Sequence, residues 1–460
     1  MDRDLILASL REAVVTMLAA LATMACALAL DPEPGPAILG VVLCLSLSRS
    51  QLDRDRRGRI EAAIALPVVS VAALGVGLLL QALPWTGAAA FVAAVSLSIW
   101  LRRFGPAGKQ AGSLIALPFV VLLVVPHFHA TRVGHATALA LPILVALLAL
   151  LWVGALHAIA RRVGWLTPAK PTATAIATPP RVGGLRPSAS SRMALQMAVA
   201  LGAAFALGYL FFAAHWAWLV LTAFIVGSGN HGRLDVVYKS VLRVLGAAAG
   251  TVVALALAGG IGPPDAASVA FALGAVFLGI WLRPVGYAWW ALFVTLALAL
   301  LQGFDGASVR GVLAPRLVEI VIGAVIGVAA AWFVWPVRST DVLRRRIADA
   351  LAALAEAADP PTPARSADAF QAHLDSIARI TPPFRAARLL TRRWRAPQPA
   401  DWIDALMACR PHAVAMTANG AAPGRVRLAI GAARKAMREP ERIGPALADL
   451  RAAMATAFAT

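Results

Sequence analysis

Ile99-Trp100-Leu101-Arg102, with Gly105 three residues on, returns later in the chain as Ile280-Trp281-Leu282-Arg283, with Gly286 three residues on. The copies lie about 181 residues apart, and at nearly the same offset Leu52-Asp53 matches Leu234-Asp235, which reads as an internal duplication. Each Trp-Leu-Arg copy closes an apolar run. Measured against the roughly 20 residues a helix needs to cross hydrocarbon, apolar runs fall near 13–30, 36–48, 60–83, 86–101, 111–126 and 136–160 in the first copy. In the second they fall near 193–212, 214–228, 241–260, 266–282, 287–303 and 316–336. The expected fold is therefore an all-α integral membrane protein of about twelve transmembrane helices, arranged as two six-helix repeats. Six is even, so the repeats share one orientation and are parallel.

Composition agrees. Of the 460 residues, 60% are hydrophobic and 14% charged, whereas soluble domains have roughly half and about a quarter. The net charge of +19 suggests nucleic acid only if the basic residues gather on a soluble surface, and here they stand between apolar runs. With the N-terminus in the cytoplasm, inner loops hold Arg49, Arg54, Arg56, Arg57, Arg59, Arg102, Arg103, Lys109, Arg161, Arg162, Lys170, Arg181, Arg186, Arg192, Arg233, Lys239, Arg243 and Arg283. Outer loops hold Arg132, Arg310 and Arg316. The bias puts both termini in the cytoplasm of a cell whose inner, or plasma, membrane the chain crosses many times. Met1-Asp2-Arg3-Asp4 leads into a long apolar helix with no small-residue cleavage site, so no removable signal is expected.

Residues 1–162 form the first membrane repeat, 163–192 a Pro-rich cytoplasmic linker, 193–337 the second repeat and 338–460 a cytoplasmic helical domain. That last region is amphipathic, with breaks at Pro360-Pro361, Pro382-Pro383, Pro397 and Gly420 to Pro423. In it Arg385, Arg388, Arg392, Arg393 and Arg395 with Trp394 make a basic stretch, read as a solvated face or as attachment to anionic lipid.

Enzyme and cofactor chemistry finds little footing. Gly227-Ser-Gly-Asn-His-Gly232 fits a dinucleotide pattern, but that fingerprint needs a preceding strand, and a membrane helix precedes it. No Walker lysine loop is present. His127, His129 and His135 cluster in one outer loop without a carboxylate or thiol to complete a metal set, and Cys26, Cys44 and Cys409 form no metal-spaced pair. No cofactor or metal is expected.

Transport chemistry has better candidates. Pro36 to Ser48 and its mate Ala214 to Ser228 are both short and broken by Gly or flanked by Pro, and matching short spans in two halves point to a binding site. The second holds His215, Trp216 and Trp218, which suit either an aromatic solute or an interfacial belt. Arg316, Glu319, Gly323 and Gly327 share one face of the last span, as an anion-binding arginine with an ionisable neighbour or as a snorkelling interfacial pair. Arg243 begins the ninth span at its cytoplasmic end, as a positive-inside anchor or an anion-binding residue, followed by Gly246 and Gly250, which allow close helix packing, as Gly323 and Gly327 do. At the position equivalent to Arg316 the first half has His135, so the halves differ electrically.

Trp218-Leu-Val-Leu-Thr-Ala before a polar turn, Arg243-x-x-Gly246-x-x-x-Gly250-Thr251, and Arg316 with Glu319, Gly323 and a closing Trp335-Pro336 together resemble the fusaric acid resistance and aromatic acid exporter family. The likeness is clearest over 214–337. It departs at Ala247, where members often carry Thr, and in the short linker, where many have a larger domain. The resemblance implies a bacterial inner-membrane exporter of aromatic carboxylates or related weak acids. It also implies a periplasmic adaptor protein as partner in some members, and dimers or larger assemblies. Plant malate channels look like distant relatives with one six-helix unit. The reading is an efflux transporter for organic anions, driven by the proton gradient through Glu319, with Arg243 and Arg316 holding the carboxylate and Trp216 or Trp218 its ring. The alternatives are a passive anion channel and a membrane scaffold acting through its tail.

Overall fold

In the computed structural model the described residues are 3–51, 56–124, 135–166, 188–213, 215–257, 266–302, 309–359, 366–393, 398–418 and 423–458. Most of the linker read at 163–192 lies outside them, as do His127 and His129. Every regular element among the described residues is helical. The chain divides into two units, one running through residues 1–169, 182–229 and 239–335, the other made of 170–181, 230–238 and 336–460.

The first unit contains α1 (Arg3–Leu30), α2 (Pro34–Gln51), α3 (Arg56–Ala82), α4 (Pro84–Trp100), α5 (Gly105–Val124) and α6 (His135–Arg162). It continues with α7 (Ala189–Phe211), α8 (Trp216–Gly227), α9 (Arg233–Leu257), α10 (Ala266–Leu282), α11 (Tyr287–Gln302) and α12 (Val309–Phe333). Among the described residues six stretches are long and apolar enough to cross a membrane: Arg3–Leu30, Pro84–Phe104, Ala140–Arg162, Ala189–Phe211, Arg233–Leu257 and Pro315–Phe333. Several apolar helices are shorter, Trp216–Gly227 among them. At 1.5 Å per residue α8 is about 18 Å long, well under the ~30 Å of hydrocarbon. Protein takes the place of lipid around it, since its side chains from Ala217 to Phe224 are all buried.

Helices α1, α2 and α6 pack on one another, and so do α7, α8 and α12. The two groups are joined crosswise, α4 against α7 and α10 against α1. The repeated tryptophan contributes to one of these joints: Trp281 Nε1 donates to the Ile6 carbonyl (3.3 Å), and Ser9 Oγ returns a bond to the Trp281 carbonyl (3.1 Å). Its counterpart Trp100 packs against the cluster that α4, α7 and α8 share, built on Phe91, Val95, Met197, Leu201 and Leu219.

One boundary differs from the sequence reading. Arg243 does not begin the ninth helix, because α9 starts ten residues earlier at Arg233 and runs unbroken past it. Polar residues Arg233, Asp235 and Lys239 hide that start from a hydropathy window, but helix formation needs only backbone bonding and tolerates them. Arg243 is therefore an interior residue, 1% exposed, and not an end anchor.

The second unit has α13 (Ser339–Ala358), α14 (Asp368–Ala378), α15 (Thr381–Thr391), α16 (Pro399–Met407), α17 (Arg410–Ala418), α18 (Gly424–Ala436) and α19 (Pro440–Ala457). Leu343, Ile347, Leu351 and Leu354 repeat at helical spacing and pack with Phe370, Ile403, Ile430 and Leu447 into a core of its own. The same unit includes the first turns of α9. There the Arg233 N–H donates to the Val337 carbonyl (3.0 Å) and the Leu234 N–H to Ser339 Oγ (2.9 Å), which satisfies two of the amides a helix start leaves open. Gly232 precedes them at φ +128°, where a Cβ would lie 2.8 Å from Ser339 Cα.

Candidate functional site

Burying charge among apolar helices is costly, roughly 2.5–3.5 kcal/mol for an arginine at membrane depth on insertion scales. Three residues bear that cost in one neighbourhood: Arg243, Arg316 and Glu319 are each 1% exposed. Arg316 and Glu319 stand one turn apart on α12. The Arg316 guanidinium carbon sits 3.8 Å from the centre of the Trp218 ring on α8, close enough for a cation–π contact of about 2 kcal/mol when desolvated. Arg243, on α9, lies within Coulombic reach of Arg316 and of Tyr287 on α11.

Small residues make this approach feasible. A Cβ on Gly323 would stand 2.6 Å from the Leu219 carbonyl oxygen and 3.0 Å from Thr222 Cβ, and one on Gly327 2.9 Å from Val226. These glycines hold α12 against α8, so Arg316 can lie over Trp218. On the other wall a Cβ on Gly246 would stand 2.6 Å from the Ala288 carbonyl oxygen and from Ala291 Cβ of α11, and one on Gly250 2.5 Å from the Leu292 carbonyl oxygen. This brings Arg243 near Tyr287.

His215 leads into α8, and its Nδ1 lies 3.8 Å from Glu319 Oε1. The histidine is 37% exposed where the glutamate is 1%, so the pair connects a buried acid with the surface. Trp216 and Trp218 serve different ends. Trp218 is buried with Arg316 over its face, so it positions the guanidinium and has no open face for a solute ring. Trp216 packs with Phe205 and Tyr209, each 5.4 Å away between centroids, and Tyr209 meets Trp85 at 5.3 Å. Gly208 makes room for it, since a Cβ there would lie 2.8 Å from Trp216 Cβ.

Four buried atoms in these helices have no hydrogen-bond partner among the described residues: Arg243 Nε and Nη2, Tyr287 Oη and Glu319 Oε2. The same holds for Thr222 Oγ1 on α8 and Thr295 Oγ1 on α11, beside Gly323 and Gly250. Unmet donors at this depth are costly unless a ligand or water meets them. Tyr287, Thr222 and Thr295 escaped the sequence reading. The available signal was scarcity, since the chain has only 3 tyrosines and this one opens an apolar helix.

The remaining motifs are elsewhere. The Gly227–Gly232 stretch follows a helix and not a strand; Gly229 has φ +65° and Lys239 Nζ donates to its carbonyl (3.2 Å). In the second unit Arg385 pairs with Asp404 (2.9 Å), and Arg388 with Asp401 (2.9 Å) and Asp404 (2.7 Å). Two arginines of the basic stretch are thus committed to α16, and Trp394 and Arg395 lie outside the described residues.

Charged residues sealed among long apolar helices define a multi-pass α-helical membrane protein. Residues 198–330, from α7 to α12, match the family model described as fusaric acid resistance protein-like. The resemblance read from 214–337 rests on that same part of the chain, which holds His215, Trp216, Trp218, Arg243, Arg316 and Glu319. No curated protein and no solved structure matches the chain.

Proposed function

We propose that the protein is an inner-membrane efflux transporter for aromatic carboxylates or related organic anions, in which Arg243 and Arg316 hold the anion. One observation carries the reading: two arginines, each 1% exposed, lie within Coulombic reach of each other, with Glu319 one turn from Arg316. A buried cluster with more arginines than acids among the described residues of an apolar bundle favours binding of an anion. Guanidinium groups suit carboxylates because their planar fork can donate two parallel bonds. Tyr287, Thr222 and Thr295 supply hydroxyls for the polar groups of such a solute. Its ring would lie near the Trp216, Tyr209 and Phe205 cluster, since Trp218 already carries Arg316.

In this proposal the helices form two parallel six-helix repeats. Equivalent packing of α1, α2, α6 and of α7, α8, α12, with crosswise joints α4 to α7 and α10 to α1, supports that arrangement. Both termini and the second unit belong on the cytoplasmic side by the charge bias. The family likeness adds a homo-oligomer and a periplasmic adaptor as partners to look for.

The test is efflux of a panel of aromatic acids from cells expressing the chain, set beside empty vector and Arg316→Ala at equal expression. Faster efflux of at least one acid with the wild type only is expected. Equal rates in all three across the panel would sink the reading.

A further inference from the structure

We infer that the outer face of α18, in the second unit, is a docking surface for anionic lipid, held by Arg425, Arg427, Arg434 and Lys435 and seated by Leu428. The inference is independent of what the membrane helices carry.

The sequence makes α18 two-sided. Val426, Ile430, Ala433 and Ala436 recur at helical spacing and are buried, and the helix packs against α13 and α19. Past its last turn the Met437 carbonyl accepts a hydrogen bond from the Arg344 guanidinium of α13, so the inward side is fixed. The opposite side holds Arg425, Arg427, Leu428, Gly431, Arg434 and Lys435, all exposed, and Leu428 is 77% accessible. Arg427, Leu428, Gly431 and Lys435 are among the residues lining an open hollow of about 550 Å³.

Charge decides the occupant. Four of the 13 residues of α18 are basic and none is acidic. The next acid along the chain, Glu439, is already held by Arg442 (2.8 Å). Among the described residues no ion pair reaches the four cations of α18, whereas Arg385 and Arg388 of α15 are paired with Asp401 and Asp404. The basic stretch at 385–395 is thus partly answered within the fold, and the cations of α18 are open to an outside partner.

Four or more basic residues close in sequence to a membrane-crossing helix form the pattern that attracts anionic headgroups. The second unit follows α12 after a short connector, residues 334–338, so the chain tethers this face to the bilayer it crosses. A soluble polyanion has no such tether and must compete with lipid at high effective concentration. Guanidinium groups bind headgroup phosphates, and Leu428 can enter the acyl boundary between them. Gly431 suits that contact. Among the described residues nothing lies within 4 Å of where its Cβ would stand, so no neighbour requires a glycine inside this helix, where it lowers stability. Bare backbone lets a headgroup come close.

The full chain, carrying Cys26→Ser and a fluorophore on Ala432→Cys, tests this in nanodiscs that contain a headgroup-nitroxide lipid as quencher. Cys44 and Cys409 are buried and should not take the label. Discs of phosphatidylcholine are set beside discs with about 30% phosphatidylglycerol. Quenching should be about threefold greater in the anionic discs and fall to the neutral-disc level in about 0.5 M salt. Reversing Arg427→Glu, Arg434→Glu and Lys435→Glu together should lower it equally, and the salt arm decides if that variant fails to fold. Quenching no greater in anionic than in neutral discs overturns the inference and leaves the face to a soluble acidic partner. Greater quenching that ignores both salt and charge reversal overturns the role of the cations. Strong quenching of a label on Leu390→Cys, with none on Ala432→Cys, moves the contact to α15 and overturns the assignment to α18. Arg316→Ala should quench as the wild type does, so failure of the anion site leaves this result standing.

Discussion

Around Gly40 the helices α1, α2 and α6 meet through Thr23, Cys44, Val145 and Ala146, whereas around Gly323 the helices α7, α8 and α12 meet through Trp218, Thr222, Arg316 and Glu319. Both groups pack closely, and in both a short second helix is held by its neighbours. In the first the polar contact is minor, Thr23 Oγ1 bonded to the Ala19 carbonyl (2.8 Å) and lying 3.2 Å from Cys44 Sγ. The second accepts two fully buried ionisable residues on one helix turn. The first group also buries His157, on α6 with its Nδ1 2.9 Å from the Val153 carbonyl, but among its described residues no arginine or carboxylate is buried. Buried charge lowers stability unless well paired, so its presence among the described residues of one group and not the other agrees with the anion site proposed there.

The largest expected effect separates the groups by activity. Arg316→Ala should weaken anion transport about 100-fold or more, corresponding to the ~3 kcal/mol typical of removing one partner of a desolvated charge pair. Expression and membrane insertion should persist, and Arg316→Lys should restore part of the flux, keeping charge but losing the fork. Initial rates in proteoliposomes give the measure. Normal transport by Arg316→Ala would erase the functional contrast.

The next effect concerns packing. Gly323→Ala drives a methyl against the Leu219 carbonyl at 2.6 Å, and backbone cannot move aside cheaply. A loss of about 1–3 kcal/mol is expected. Gly40→Ala meets the Thr23 methyl at 2.9 Å, a side chain that can shift, and should cost less. Thermal unfolding in detergent compares the two, and equal losses would mean that the groups yield alike. Smaller again is Thr23→Val, which removes the hydroxyl bonds at nearly constant shape. It should lower stability by about 1 kcal/mol and leave transport unchanged.

Charge placed in water completes the comparison. Partial burial pushes the Asp404 carboxyl up, but hydrogen bonds from Arg388 and Arg385 outweigh it and hold the group below the ordinary carboxylate range. A carboxyl depressed by folding stabilises the fold above its unfolded value, near pH 4, and the benefit fades as pH falls through the folded value. Arg388→Ala should therefore speed amide hydrogen exchange in α15 and α16 at pH 7. At pH 3, after correction for intrinsic rates, variant and wild type should converge. The effect is modest because both partners are partly exposed. A difference that persists undiminished in acid would show that the pair acts through packing.

Much of this was readable beforehand, for definite reasons. Apolar run length marks helices, and Pro382-Pro383, read as a break, stands in the first turn of α15, where proline is tolerated. Arg316 and Glu319 stood out because charge inside an apolar run is rare. Arg243 was noticed but set at a helix end, since hydropathy sees lipid-like residues and not backbone continuity. The His215 to Glu319 pairing joins α8 to α12 across the sequence, and no local period reports such a meeting. Trp218 was open to two readings, a stacking surface or an interfacial belt residue, because sequence does not reveal which neighbour covers a ring. Thr222 and Thr295 are ordinary in membrane helices until their hydroxyls are found without partners.

The clasp at the start of α9 has a mechanical meaning. Ser339 and Val337 grip the amides of Leu234 and Arg233, and α9 then runs without interruption to Arg243. At 1.5 Å per residue the guanidinium-bearing turn stands about 14 Å along the axis from the clasp. Each backbone bond in between ties a residue to the one four before it, so the segment behaves as a stiff shaft.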